Sequence, residues 1–493
     1  MPRAPTRVTE VAPHERAAAW TDVVSALLLA AWFVYLLLSP TVGFGWIESW
    51  HNEQRAAQVA LLAVTGLGFC AMLFDRRYRL RLPRMHWIVV AVFALGVISA
   101  ARATYADAAY AELALHFLLL ILIIVTAAAI ARSPERVAAL AQHGALLLLA
   151  TYVLGVAVRY GAAVSMRRAL DVDVLLLGYA NPRFPSALHA LLIPLAAASS
   201  ADRTQRQLVR FLGFVVLACI WAINLALATR AIWFAYAVSV PILWTLLGRR
   251  AIRPAARVAI LSAIAGAVVY AVAFRAVPVW MGLGEAFQRR TLDQLVWGSN
   301  RELLIRSSLE AIRSAPWLGI GPMQFAAIPG VWASHPHNWV LQLASEWGLP
   351  AAGMAVFGAI AVLRRTGRLA RRASRIEAPL APFVAASVVT LVYGLVDGNL
   401  VMPVSQTAAA LILGGLVAAS ALADVRRATH ASAAGAVGIA LLVAVSAGWL
   451  ARYTAVTVEA TTVLERTVDP TRPKWPRFWS DGFLPLGSNR TKS

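Results

Sequence analysis

The feature that most constrains this chain is the recurrence of apolar blocks about 20 residues long, the length an α-helix needs to cross roughly 30 Å of hydrocarbon. The blocks lie at about 21–40, 55–74, 85–104, 111–131, 137–158, 184–201, 207–228, 230–247, 257–280, 338–364, 378–396, 401–423 and 431–451. A bilayer offers no water to backbone N–H and C=O groups, so blocks of this length are read as helices. Composition agrees, with 60% of the 493 residues hydrophobic and only 14% charged. The expected fold is all-α, a polytopic transmembrane helical bundle of about 12–13 spans. Its first block is longer than a signal-peptide core and reads as an uncleaved anchor. Cys70 and Cys219 each fall inside a span, which argues against a disulfide framework. Thr229-Arg230 interrupts one long apolar run. A charge at a bilayer centre costs at least ~2.5 kcal/mol, so a hairpin with Arg230 at its tip is expected there.

A net charge of +21 would suggest a nucleic-acid partner in a soluble protein. Here the cations fall in bursts between apolar blocks, as in Arg203-Arg206-Arg210, Arg249-Arg250-Arg253 and the run from Arg364 to Arg375. That is the pattern of cytoplasmic loops, so no nucleic acid is expected, and the N-terminus is placed inside. Two outer loops break the pattern by being long and basic. One covers about 159–183 and the other about 281–337. The expected organisation is N-terminal transmembrane helices over 1–280, a large periplasmic loop over 281–337, C-terminal transmembrane helices over 338–451, and a tail over 452–493. The tail is expected outside, as an irregular appendage.

Cations kept on the translocated side oppose the topology bias, which directs attention to the outer loops. SNRELLIRSSLEAIRSAP, residues 299–316, reads as a helix with a Ser299–Glu302 capping box and a stop at Pro316. Glu302 is spaced to pair with Arg306, and Glu310 with Arg313. Arg301 opposes the helix dipole in the first turn and has no opposite charge three or four residues away, which makes it a candidate ligand contact. Arg183, Arg289 and Arg290 are further candidate outer-loop contacts. A Gly/Pro turn, WLGIGPMQF, leads to SHPHNW, where Asn338 is placed to cap the next helix and Gly348-Leu-Pro350 to weaken it near one end of its span.

Three readings of His335 and His337 stand side by side. A metal site needs three or four ligands and this pair supplies at most two, so no metal is assigned. A packing or hydrogen-bonding role is open. So is proton acceptance from a hydroxyl, since imidazole titrates near neutrality. Guanidinium groups bind phosphate through a rigid fork, so outer arginines beside such a base describe transfer from a phosphate-activated donor to a hydroxyl. Asp397, in YGLVDGNLVMP, reads either as a turn residue or as a group that orients the base, an arginine or a substrate hydroxyl.

Three stretches resemble the O-antigen ligase and polymerase superfamily of bacterial envelope enzymes: LATRAIWFAYAV, SNRELLIRSSLEAIRSAPWLGIGPMQF and HPHNWVLQLASEWGLP. The likeness covers about 180 to 420. It implies a GT-C-like architecture and a metal-independent, inverting glycosyltransferase without cofactor, in a Gram-negative inner membrane with its site facing the periplasm. It implies a glycan on undecaprenyl diphosphate as donor and lipid A–core oligosaccharide as acceptor, with membrane lipids as partners. By resemblance the catalytic residue maps to His337 and the donor-diphosphate ligands to Arg230 and Arg301, with Asp397 and Asn338 in supporting or substrate-orienting roles. Thr229 stands where many members have Ser, and His335 is outside the motif. An O-antigen polymerase or a protein O-oligosaccharyltransferase shares this chemistry with a different acceptor. A transporter or flippase would instead place charges in mid-span, with inverted repeats and broken helices.

Overall fold

The structure, a computed structural model, describes residues 13–43, 45, 47, 49–75, 86–283, 301–331, 333–372, 380–422, 432–467 and 477–479. The described residues are helical and contain no strand. The first ten helices are α1 Pro13–Leu38, α2 Trp50–Phe74, α3 His86–Ala101, α4 Ala106–Arg132, α5 Pro134–Ser165, the short α6 Asp173–Leu176, α7 Arg183–Ala201, α8 Gln207–Ala226, α9 Arg230–Leu247 and α10 Arg249–Val269. A π-helical turn, Tyr270–Ala276, carries α10 into α11 Val277–Trp280. Then come α12 Arg301–Ser314, α13 Trp339–Glu346, α14 Leu349–Arg372, α15 Ala381–Tyr393, α16 Pro403–Leu422 and α17 Ala433–Thr467. Among the described residues, eleven apolar helices are long enough to cross a membrane, and His86–Ala101 and Ala381–Tyr393 are shorter apolar helices. Each sits where the hydropathy pattern predicts a span.

Two helices form the centre. Along α7 and α16, 83% of the apolar window is buried, against 17% along α14 and α17. Both central helices are rich in Ala and Ser (LAAASSA and TAAALILGGLVAASAL), and small side chains let neighbouring backbones approach closely in a bilayer. Accordingly α16 packs on α4 and α7, and α7 also packs on α5, α8, α10 and α15. Outward faces carry exposed Leu27, Leu140, Leu154, Leu208 and Val445, as a lipid-facing surface requires.

Because successive spans alternate in direction, one end of the bundle collects the starts of α2, α4, α7, α9, α14 and α16 and the ends of α3, α5, α8, α15 and α17. The opposite end holds the Arg132–Asp22 ion pair, at 3.1 Å, and the Arg249-Arg250-Arg253 burst. Between α8 and α9 the chain turns at Ala228 (φ +52°), with Arg230 opening α9, so the expected hairpin is present.

The structure corrects three expectations. The span expected over 338–364 is two helices, α13 and α14, broken at Gly348 (φ +92°). The break is locked by the WLGIGP turn: Ile320 N–H donates to Ser345 O at 2.9 Å, Gly321 N–H to Glu346 O at 3.0 Å and Leu349 N–H to Pro316 O at 2.8 Å. A Cβ at position 348 would stand 2.2 Å from the Trp317 carbonyl oxygen, so only glycine fits. Second, α5 runs on to Ser165, past the expected loop start at 159. Arg159 does not end it, because its Nη1 reaches the Leu177 carbonyl at 3.3 Å and leaves the stem on the helix. Third, Arg306 pairs with Glu310 at 3.7 Å rather than with Glu302. Ser299, Arg289 and Arg290 lie outside the described residues.

Candidate active site

The SHPHNW segment folds into a tight turn against α13. Asn338 is the N-cap: its Oδ1 accepts from Val340 N–H at 2.9 Å and Leu341 N–H at 3.0 Å. That oxygen is committed to the helix, so Asn338 serves the site by fixing where α13 begins. His337, just before the cap, has φ +53°, a left-handed conformation that costs a non-glycine residue roughly 1–2 kcal/mol. Strain of this kind persists only where surrounding contacts over-determine it. Those contacts are visible. His337 N–H donates to His335 Nδ1 at 3.2 Å, and the two rings lie edge to face with centroids 4.2 Å apart. Trp339 N–H donates to Gly394 O at 2.9 Å and its Nε1–H to Leu391 O at 3.1 Å, tying the turn to the end of α15.

The segment after α15 brings Asp397 in from the other side. Its Oδ1 accepts the Gly398 N–H at 2.8 Å and lies 3.3 Å from His337 Nδ1. Gly398 is required by close approach: a Cβ there would stand 2.4 Å from His335 Cε1. Arg183, the first residue of α7, lines the same cleft as His335, His337 and Asp397. Below it on α7, the Ser186 hydroxyl lies 2.6 Å from that of Thr229, the N-cap of α9, and Tyr393 borders Ser186. The Thr229-Arg230 hairpin tip thus packs on the helix that carries Arg183.

Arg301, on α12, lies beside this group. Its Nε is buried and has no hydrogen-bond partner among the described residues. Burial lowers its pKa, Asp397 opposes that, and Arg183 and Arg230 add to it, so cationic neighbours crowd Arg301. An anion is the natural complement to such crowding.

His337 is held below the ordinary histidine value. Burial is the main cause, the Asp397 carboxylate opposes it, and Arg183 and Arg301 reinforce it. Burial pushes the Asp397 carboxyl up, but His337, Arg183 and the Gly398 N–H outweigh that and keep it below the usual carboxylate range. At neutral pH the pair is therefore a neutral imidazole beside a carboxylate. With the proton on Nδ1 facing Asp397, Nε2 carries the lone pair.

Of the residues singled out in the sequence, the structure gathers His337, Asp397, Arg183 and Arg301, with Arg230 within electrostatic reach of Arg301 and Asn338 as cap. It adds His335, whose ring supports the His337 turn, and Arg477 of the tail, whose Nη1 donates to Ser334 O at 3.0 Å. Local pattern carries no sign of Arg477. The only hint is a cation followed by Phe-Trp, an apolar pair able to bury itself.

No curated protein matches the chain. A family profile does: residues 214–356 match the family described as O-antigen ligase, a stretch that holds Arg230, Arg301, His337 and Asn338 while Arg183 and Asp397 lie on either side of it. The chain is a polytopic helical membrane protein, and the match of residues 214–356 to the O-antigen ligase family supports an O-antigen ligase/polymerase-type membrane enzyme.

Proposed function

We propose that this protein is an O-antigen ligase that moves a glycan from undecaprenyl diphosphate to a sugar hydroxyl of lipid A–core oligosaccharide, at the periplasmic face of a Gram-negative inner membrane. The observation that carries the reading is the contact of His337 with Asp397, 3.3 Å apart, beside Arg301, which lies within electrostatic reach of Arg183 and Arg230 at one end of the bundle. In this reading the polyprenyl chain lies among the spans and its diphosphate meets Arg230, Arg301 and Arg183. The acceptor oxygen attacks the anomeric carbon while the bond from that carbon to the diphosphate oxygen breaks. The hydroxyl proton passes to His337 Nε2, and Asp397 stabilises the imidazolium that forms. Charge growing on the departing diphosphate is met by the guanidiniums, an electrostatic role that needs no metal. One displacement on the face opposite the leaving group inverts the anomeric centre.

The domain layout follows the same reading: helices over 1–280 carry the donor lipid, the outer segments over 281–337 close over the headgroup, and the helices over 338–451 bring in Asp397.

The test is transfer by purified protein from undecaprenyl-diphosphate glycan to lipid A–core in the presence of EDTA, comparing wild type with His337→Ala and Arg230→Ala. Product from wild type alone supports the ligase and both roles. Transfer only to a second lipid-linked glycan, or only to a Ser or Thr hydroxyl of a peptide, moves the reading to a polymerase or a protein O-oligosaccharyltransferase. Full activity in folded His337→Ala removes the base from the scheme.

A further inference from the structure

The sequence reads the tail as an irregular appendage, yet Arg477, Phe478 and Trp479 are among the most buried residues of the protein. These three residues lie at the same end of the bundle as His337 and are held there from several sides. Arg55, on α2 and 1% exposed, donates from Nε to Phe478 O at 3.2 Å and from Nη2 to Arg477 O at 3.3 Å. Its guanidinium also stacks over the Phe478 ring at 5.2 Å. Trp479 Nε1–H donates to Thr457 Oγ1 on α17 at 2.8 Å.

From that anchorage the Arg477 side chain reaches across the site. Nη2 donates to Glu112 Oε1 of α4 and to Glu346 Oε2 of α13, both at 2.7 Å, while Nη1 donates to the Ser334 carbonyl at 3.0 Å. Ser334 opens the turn that carries His335 and His337. Arg55 makes the matching contact on the other side: its Nη2 donates to Val401 O, in the loop that carries Asp397, and its Nη1 to Gln406 Oε1 at 2.8 Å. Two buried arginines, joined through the tail backbone, thus hold the two halves of the His337–Asp397 pair. Each comes from a part of the chain far from both.

Burying this cluster is costly. A buried ion pair seldom adds net stability over apolar packing, because desolvation offsets the Coulombic gain. A fork that satisfies two carboxylates and a carbonyl at once does fix geometry. We propose that the segment Arg477–Trp479 is a strap, and that Arg477 is a positioning residue which sets the register of His337 against Asp397 through Ser334. The proposal deepens the reading of the site given above and rests on His337 and Asp397 acting together.

Lysine separates positioning from charge balance. Arg477→Lys keeps a cation between Glu112 and Glu346 but lacks the second arm that reaches Ser334 O; Arg477→Gln loses both. The first readout is independent of turnover: the rate at which diethyl pyrocarbonate modifies His335 and His337 in the purified full-length protein, followed by peptide mass spectrometry, with exposed His86 as the internal control. The expected result is slow modification of the pair in wild type and a several-fold faster rate in Arg477→Lys, with His86 unchanged. In the transfer assay the same variant should lose about ten- to a hundredfold in kcat, the scale of a misplaced catalytic group, with little change in donor KM.

Wild-type labelling and wild-type kcat in folded Arg477→Lys would overturn the proposal. If the Arg477 variants do not accumulate, Trp479→Phe, which loosens the tail without altering charge, carries the same labelling test with the same two outcomes. Should wild type transfer glycan to no acceptor, the ligase reading fails while the labelling result still decides the strap.

Discussion

His337 Nδ1 lies 3.3 Å from Asp397 Oδ1, and the two residues belong to separate connections, one leading into α13 and the other leading out of α15. Both side chains are buried, and the Asp397 carboxylate favours a proton on His337. Asp397→Asn keeps the shape and removes the charge that stabilises the imidazolium. Transfer should fall about a hundredfold, within the range for disabling a positioned acid–base group, with thermal stability near wild type. Turnover and a melting curve on the same preparation check this.

The pH profile follows from the same contacts. In the proposed mechanism neutral His337 is the competent base, and its pKa is held below the ordinary 6.5, so activity should rise through a pKa below that value and be flat at neutrality. Asp397 raises the His337 pKa and Arg301 lowers it. In Asp397→Asn the acid limb should therefore move to lower pH, and in Arg301→Gln to higher pH. Profiles of kcat/KM for the three proteins decide it; shifts in one common direction would contradict the electrostatic assignment.

Arg301→Gln should act mainly on the donor. In the proposed mechanism, losing one of three cations assigned to the donor diphosphate should cost about a hundred- to a thousandfold in kcat/KM, the scale of removing one preorganised group from developing charge. A shortened, water-soluble diphosphate should inhibit wild type and lose potency in the variant. Equal inhibition of both would place the diphosphate elsewhere.

Asn338→Ala removes the cap of α13. It should lower stability by about 1 kcal/mol, as cap loss usually does. It should also reduce transfer, because the residue before the cap is His337. Asn338→Asp keeps a capping oxygen and should recover the melting temperature, which separates the cap from any direct part in the chemistry.

Gly348→Ala should be the most damaging of these substitutions for folding. The position has φ +92°, and an added Cβ would meet the Trp317 carbonyl at 2.2 Å. Strain and clash together should cost at least about 1–3 kcal/mol, seen as a lower yield of monodisperse protein and a lower melting temperature.

Much of the architecture was legible in the residues alone, because the signal for a membrane span is local: an apolar stretch of sufficient length must be a helix wherever it inserts. The thirteen apolar helices among the described residues, the hairpin tip at Arg230 and the cap at Asn338 were all written in short windows. The break at Gly348 was only half legible. Gly-Leu-Pro marks a weak point, but it becomes a corner because the WLGIGP turn bonds to it from across a gap in sequence.

What the sequence by itself determined is therefore a helical membrane protein with a basic, enlarged set of outer segments and a short list of reactive side chains. Which of them meet was decided by packing. His337 finds Asp397, Arg183 finds Arg301, and Arg477 finds Glu112, Glu346 and Ser334 only because helix ends far apart in the chain are brought to one end of the bundle. Apolar length is a property of a segment and can be read from it. The register of one helix end against another is set by the buried faces of the whole bundle, and no single stretch of sequence carries it.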